Sequence, residues 1–254
     1  MINQELLNNI PPRVDIIGVP ISVVNMKSCI NFIFENWDAV HGNYICASNV
    51  HTTVLAHDEK DYYLVQANSL LSIPDGKPLS VLGKKIFPEM DRVTGPDFMR
   101  EILNISKNKE IRHFFYGTTQ DNLNALLIKI KDEYPWVNIV GSEPSVFRPM
   151  SEKEEQELAD RINTSNPDFV WVALGAPRQE EFCYRNEGKI KGLMVGVGGA
   201  FNIISGAIPE APKWMQKIGM EWFYRLLKEP KRLFKRYFYT NSRFVWLNIK
   251  EKIL

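Results

Sequence analysis

Long apolar runs and cysteines are both scarce in this sequence. No uninterrupted apolar stretch of about 18 residues occurs, so we expect no membrane-spanning helix. The amino end lacks a basic start followed by an apolar run, so we expect no signal peptide. The three cysteines, Cys29, Cys46 and Cys183, are scattered and odd in number. We therefore expect these cysteines to be small core residues in a reducing cytosol. We expect them to form neither a disulfide framework nor a metal site.

Two common site signatures are also missing. The histidines form no partnered cluster, and His51 and His57 would lie on different faces of one helix, so no metal site is expected. No Asp-x-Asp pair is present to hold a divalent ion against a diphosphate. In GVGGAF the third glycine of the dinucleotide fingerprint is replaced by Phe201, which disfavours a nicotinamide oxidoreductase. We therefore expect neither a metal nor a cofactor.

What the chain does have is a division of charge. From Lys213 to Leu254 there are 11 Lys and Arg against three Glu, whereas the first 212 residues carry 20 Lys and Arg against 27 Asp and Glu. This tail also holds 10 of the 29 aromatic residues. Prolines at 209 and 212 interrupt the chain at the border. We predict a core over residues 1–208 and a C-terminal helical appendage over residues 209–254.

Strand and helix patterns alternate through the core. Apolar runs at residues 113–116, in DFVWVALG and in GLMVGVGGAF predict strands separated by helices, and Ser151 with Glu154 predicts a capping box at one helix start. Upstream, RVDIIGVPISVV and NYICASNVHTTVLA each predict a strand, the second leading into a helix through about Ala67. This alternation predicts an α/β fold with a parallel sheet covered by helices on both faces.

Polar residues that end apolar runs are the first candidates for a site, because ligands of an open parallel sheet lie beyond the carboxyl ends of its strands. Asp75 ends such a run in LLSIPDGKPLS, where it is either a turn residue or a catalytic base. Arg92 precedes a Thr-Gly-Pro turn and has no local structural role. The other candidates are Ser48, Asn49, Gly117, Gln179, Gly196, Gly198 and Gly199.

Several of these candidates have structural alternatives. Ser48 and Asn49 are good N-cap residues for the helix that follows them. The glycines either allow helices to pack closely on strands or bring backbone amides to a diphosphate.

Five segments in this order resemble the WecG/TagA/CpsF family of bacterial glycosyltransferases, over about Val14 to Tyr237. They are PDGKPL, DRVTGPDFM, LGAPRQE, GVGGAFNIISG and PEAPKWMQKIGMEWFYRLLKEPKRLFKRY. The resemblance implies a Rossmann-like sheet and an inverting, metal-independent transferase. Such an enzyme would move N-acetylmannosamine or a related sugar from a UDP-sugar to a polyprenyl-diphosphate-linked sugar, in cell-surface polysaccharide or teichoic acid biosynthesis.

The resemblance also implies roles for individual residues. Asp75 would be the catalytic base, and arginines would stabilise the departing UDP. Lys235 stands where a third tail arginine is expected and lacks the bidentate fork suited to phosphate. The substrate-binding residues would be Ser48, Asn49, Arg92, Gln179, Arg225 and Arg232, with Gly117, Gly196, Gly198 and Gly199 near the nucleotide.

The basic, aromatic tail leaves several partners open. Nucleic acid is disfavoured because the rest of the chain is net acidic and no reading motif is present. An amphipathic helix on an anionic membrane surface and a helix folded on the core are equally open, and so is a homo-oligomer. We expect a cytoplasmic protein bound peripherally to the inner face of the bacterial cell membrane. The alternative function is a non-catalytic module that binds a nucleotide sugar or a lipid diphosphate.

Overall fold

Six parallel strands form the centre of the fold. A computed structural model describes residues 9–250 of this chain, except for the side chain of Arg232. In chain order the six strands are β3 (Tyr44–Ser48), β4 (Leu71–Pro74), β5 (Arg112–Gly117), β6 (Asn138–Glu143), β7 (Phe169–Ala173) and β8 (Leu193–Gly196). Their spatial order is β4-β3-β8-β7-β5-β6, and every neighbouring pair is parallel. The predicted α/β class and Rossmann-like parallel sheet are confirmed.

Apart from the edge strand β6, which has no buried residue, the sheet is buried on both faces, and this explains its continuous apolar runs. Every residue of β7 is buried. Phe169 and Trp171 pack into one apolar cluster, and Val170 and Val172 into another on the opposite face. Because successive side chains of a strand point to opposite faces, one strand supplies two cores.

The helices of the described core add to these two clusters or to a third apolar cluster. These helices are α1 (Met26–Glu35), α2 (Trp37–Val40), α3 (Val50–Asp58), α4 (Lys60–Asn68), α5 (Lys77–Lys84), α6 (Gly95–Ile105), α7 (Gln120–Glu133), α8 (Glu152–Thr164), α9 (Arg178–Arg185) and α10 (Ala200–Ile204). Helices α3, α4 and α5 add to the third cluster. At the start of α8, the predicted capping box between Ser151 and Glu154 is confirmed. The helix predicted to run through about Ala67 is in fact two helices, because the backbone at Glu59 is extended between α3 and α4.

The first segment of the core differs from the prediction of a single strand. RVDIIGVPISVV forms an antiparallel hairpin of β1 (Arg13–Ile16) and β2 (Val19–Ser22), separate from the main sheet. Ile17 and Gly18 form the turn with φ of 52° and 77°. The Gly18 amide donates to Asp15 Oδ1 over 2.7 Å, which closes the turn.

Three helices follow the core: α11 (Lys213–Ile218), α12 (Glu221–Lys228) and α13 (Pro230–Lys250). Helix α13 packs along α3, and its Phe244 and Leu247 are buried in the apolar cluster that includes the hairpin. Arg243 of α13 donates to Asp58 Oδ1 at the end of α3 over 2.7 Å. Within residues 9–250, no helix combines the length and apolar content that crossing a bilayer requires.

Candidate functional site

A cleft of about 740 Å³ lies at the carboxyl ends of the central strands, where sheet topology predicts a ligand site. Residues that follow β3, β4, β7 and β8 form its floor, and residues of α12 and α13 form the opposite wall. Seven of the predicted site residues line it: Asn49, Asp75, Arg92, Gln179, Gly198, Gly199 and Arg225. The appendage therefore completes the cleft.

Asp75 enters the cleft from the short connection between β4 and α5. Its neighbour Gly76 has a φ of −73°, so the Asp-Gly pair is not used for a left-handed turn. A Cβ on Gly76 would lie only 3.1 Å from the Cα of Asn49. The glycine is thus needed for the close approach of two strand ends, and this approach brings Asp75 beside Asn49.

The surroundings of Asp75 adjust its basicity. Burial is the main cause that raises the pKa of Asp75, and the Glu221 carboxylate adds to the rise, whereas the guanidinium groups of Arg92 and Arg225 and the Gly95 amide oppose it. The net result is a pKa of about 6. At neutral pH the carboxyl is ionised, yet its proton affinity is well above that of an exposed aspartate. These are the properties of a general base that works near neutrality.

Arg92 connects the Asp75 loop to the appendage. Its Nε donates to the backbone oxygen of Asp75 over 2.6 Å, and its Nη2 donates to Oε2 of Glu221 over 2.7 Å. The side chains of Arg92 and Glu221 are only 17% and 20% exposed, so this ion pair is shielded from water. Arg92 therefore fixes the position of α12 over the cleft as well as contributing positive charge to it.

Arg225 supplies a positive charge to the cleft. Its Nε is buried and makes no hydrogen bond within the part of the chain that the structure describes. A Cβ on Gly199 would lie 2.6 Å from Nη2 of Arg225, so a larger residue there would displace the guanidinium from its present position. This guanidinium lies in a cleft that also holds carboxylates, and it provides hydrogen-bond donors for an anionic group of a ligand.

The two residues after β3 have different positions. Asn49 lines the cleft and caps α3, since its Oδ1 accepts from the amides of His51 and Thr52 at 3.0 and 3.3 Å. Ser48 is fully buried, and its hydroxyl lies 2.6 Å from both Gln66 Oε1 and Ser72 Oγ. Ser48 is not among the side chains that line the cleft.

The glycines mostly serve close packing. Gly117 has a φ of 127°, and a Cβ there would meet the Ala173 oxygen at 2.4 Å. Gly196 lies beneath Gln179, with an added Cβ 3.4 Å from its Nε2. The amide of Gly198 donates to Oε1 of Gln179 over 3.0 Å, so it is already engaged within the protein.

The cleft residues that were not predicted from the sequence include His51, Trp222 and Arg236. Burial and the charge of Arg236 lower the pKa of His51 to about 4, so this imidazole is neutral at physiological pH. Nδ1 of His51 and Nε of Arg236 are buried, and neither has a hydrogen-bond partner among the residues that the structure describes. Lys235, the predicted basic position, is exposed, and the residue that reaches the cleft is the next one along α13.

Comparison with known proteins agrees with this architecture. The sequence model of the Glycosyl transferase WecG/TagA/CpsF family matches residues 14–254. A Bacillus subtilis (strain 168) protein named N-acetylglucosaminyldiphosphoundecaprenol N-acetyl-beta-D-mannosaminyltransferase is 31% identical over 218 residues, which is 85% of this chain and 83% of the relative. A Bacillus spizizenii (strain ATCC 23059 / NRRL B-14472 / W23) protein of the same name is 31% identical over 197 residues, 77% of this chain and 75% of the relative. The chain belongs to the WecG/TagA/CpsF family and is a glycosyltransferase.

Proposed function

We propose that this member of the WecG/TagA/CpsF family transfers N-acetylmannosamine, or a closely related sugar, from a UDP-sugar to a sugar carried on a polyprenyl diphosphate. The names of the two Bacillus relatives support this choice of donor sugar and acceptor. The observation that carries the proposal is the cleft itself, which holds Asp75 opposite the guanidinium of Arg225. One group accepts a proton and the other stabilises a departing anion.

The proposed reaction is a single displacement with inversion. A hydroxyl oxygen of the acceptor forms a bond to the anomeric carbon of the donor while the bond from that carbon to the UDP oxygen breaks. The hydroxyl proton passes to the carboxylate of Asp75. The negative charge that develops on UDP is stabilised by Arg225 and Arg236, so positive side chains take the role that a divalent ion has in other transferases.

Replacing Asp75 with Asn tests this assignment. We expect Asp75→Asn to lower the transfer rate by about 10³-fold, because a general base contributes about 10²–10⁴-fold. The wild-type rate should rise with pH through about 6, the pKa to which burial raises Asp75. The rate is measured as UDP release, with a sugar on a short-chain lipid diphosphate as acceptor. NMR of the product identifies the anomer that is formed. Chelator should leave the wild-type rate unchanged.

The stability of the same variant provides a control for folding. Because the pKa of Asp75 is raised on folding, its ionisation destabilises the folded chain as pH increases from about 4 to about 6. Asp75→Asn should therefore unfold at the same temperature as the wild type, or at a higher one, at pH 7.5. A variant that keeps full transfer activity would contradict the role of Asp75. A wild-type chain that binds UDP-sugar yet never releases UDP would favour the non-catalytic alternative.

We also propose that the appendage, residues 209–254, holds the enzyme at the inner face of the cell membrane, where the lipid-linked acceptor resides. The exposed side of the appendage supports this, because it combines large apolar side chains with lysines. Its exposed apolar residues are Trp214, Ile218, Trp222, Phe223, Leu227, Phe234, Phe238, Tyr239, Val245, Trp246 and Ile249. Its exposed lysines include Lys213, Lys217, Lys228, Lys231 and Lys235.

A further inference from the structure

A carboxyl group is buried directly below the floor of the cleft. Glu180, in the first turn of α9, is 1% exposed, and its Oε2 has no partner within hydrogen-bond geometry among residues 9–250. Burial raises the pKa of Glu180 to about 7, and the Gln179 amide and the Tyr62 hydroxyl, which both interact with the carboxyl group, oppose the rise. Burying a carboxyl group without full hydrogen bonding lowers stability. The position of Glu180 therefore calls for a role other than stabilising the fold.

The contacts of its neighbour identify that role. Gln179, which is 2% exposed and lines the cleft, donates from Nε2 to Glu180 Oε1 over 2.7 Å. Its Oε1 accepts from the Gly198 amide over 3.0 Å. One of these hydrogen bonds needs the amide nitrogen as donor, and the other needs the amide oxygen as acceptor. Together they fix the orientation of the Gln179 side-chain amide. A primary amide has two N–H groups, and one of them stays unused by this pair of anchors.

The backbone of two glycines passes beneath the amide. A Cβ on Gly196 would lie 3.4 Å from Gln179 Nε2, and one on Gly198 would lie 3.7 Å from it, which are ordinary contact distances. Packing against these glycines therefore does not fix the amide, and its orientation depends on its hydrogen bonds to Glu180 and to the Gly198 amide.

We propose that Glu180 is a positioning residue for transfer. Its carboxyl holds the Gln179 amide so that the free N–H donates to an oxygen of the bound sugar nucleotide. This inference rests on the proposed function, since it assigns a task to a residue of that same cleft. Glu180 itself does not contact the substrate.

The test replaces Glu180 with Met, which has a similar length and no acceptor. Removing a buried carboxyl group with one unsatisfied oxygen is expected to leave the unfolding temperature unchanged or raise it. The transfer rate at saturating substrate should nevertheless fall by roughly 10-fold to 100-fold, because one donor to the reacting group is no longer held in place. Glu180→Gln keeps an acceptor oxygen for Gln179 and should restore most of the lost rate.

A double variant shows whether the effect passes through Gln179. In a Gln179→Ala background, Glu180→Met should cause no further loss, whereas independent effects would multiply. The inference is overturned if Glu180→Met transfers sugar at the wild-type rate, if it no longer folds, or if its loss multiplies with that of Gln179→Ala. A wild-type chain that transfers no sugar in the same assay would contradict the proposed function itself, so the two failures are distinguishable.

Discussion

Helices α6 and α12 have similar apolar spacing but opposite surroundings. In α6, the apolar residues Phe98, Met99, Ile102 and Leu103 are all completely buried. Helix α12 carries Trp222, Phe223, Leu226 and Leu227, and none of its residues is buried. The comparison shows that helical periodicity defines an apolar face without determining what covers that face.

The difference follows from which side of each helix faces the core. Helix α6 turns its apolar side towards the sheet. Helix α12 turns polar residues inward, since Glu221 pairs with Arg92 and Arg225 enters the cleft. Its Phe223 and Leu227 consequently remain 36% and 62% exposed. The appendage is held to the core by charge at this point, and Phe223 and Leu227 face away from the core.

The largest expected difference between the two regions is in stability. Phe98→Ala in α6 removes a fully buried ring and should lower the free energy of unfolding by about 3–5 kcal/mol. Phe223→Ala in α12 should change it by less than about 0.5 kcal/mol, as is usual for exposed sites. Denaturant unfolding of both variants measures this. Similar losses for the two would mean that α12 packs on the core in solution.

The second expected difference between the appendage and the core is in their binding to lipid vesicles. Phe234 and Phe238 of α13 are 63% and 70% exposed and stack with ring centres 6.2 Å apart. Changing both to Ser should weaken binding to anionic vesicles by at least about tenfold, because each apolar side chain that enters a bilayer interface contributes free energy in proportion to its buried area. Sedimentation with vesicles measures the affinity.

A matched variant controls for general surface polarity. Ile128 of α7 is also 70% exposed but lies on the core, so Ile128→Ser should leave vesicle binding unchanged. Equal binding by the wild type and the double Phe variant would exclude these rings from the membrane surface. High salt should weaken vesicle binding by the wild type, because salt screens the exposed lysines of the appendage.

The sequence predicted the central strands well because both faces of each are buried, which produces apolar runs that no surface element shows. It missed the hairpin because its turn has Ile17 at a φ of 52°, where Asn or Asp followed by Gly would be the usual signal. The separation of α3 from α4 was also missed, since only the extended backbone at Glu59 reveals it.

For the candidate site, the end of a strand was a sufficient signal for Asp75, and the segment that follows β7 was the signal for Gln179, which lies in the first turn of α9. Glu180 and Arg236 had no such signal, because their positions depend on how helices are rotated on the core. Neighbouring residues on a helix point about 100° apart, so Lys235 is exposed while Arg236 reaches the cleft. Motif matching therefore located the basic helix but not the side chain that it turns inward.

The smallest expected effect concerns the contact between α13 and α3. Arg243 and Tyr239 both donate to Asp58, at 2.7 and 3.2 Å, and the hydrogen bond from Arg243 is the main cause that lowers the pKa of Asp58. Asp58→Asn should lower the free energy of unfolding at pH 7 by about 0.5–1 kcal/mol, the usual contribution of a partly exposed ion pair. Asp132→Asn, at an exposed site on α7, is the matched control and should have no effect.

The pH dependence of that difference separates charge from packing. Because the pKa of Asp58 is lowered on folding, its contribution is fully present above the unfolded value of about 3.9 and is lost as pH falls through the folded value. The wild type and Asp58→Asn should therefore differ in denaturant unfolding at pH 7 and converge in strong acid. A difference that stays constant down to pH 2 would show that Asp58 acts through packing, and that α13 is held on α3 by its buried Phe244 and Leu247 alone.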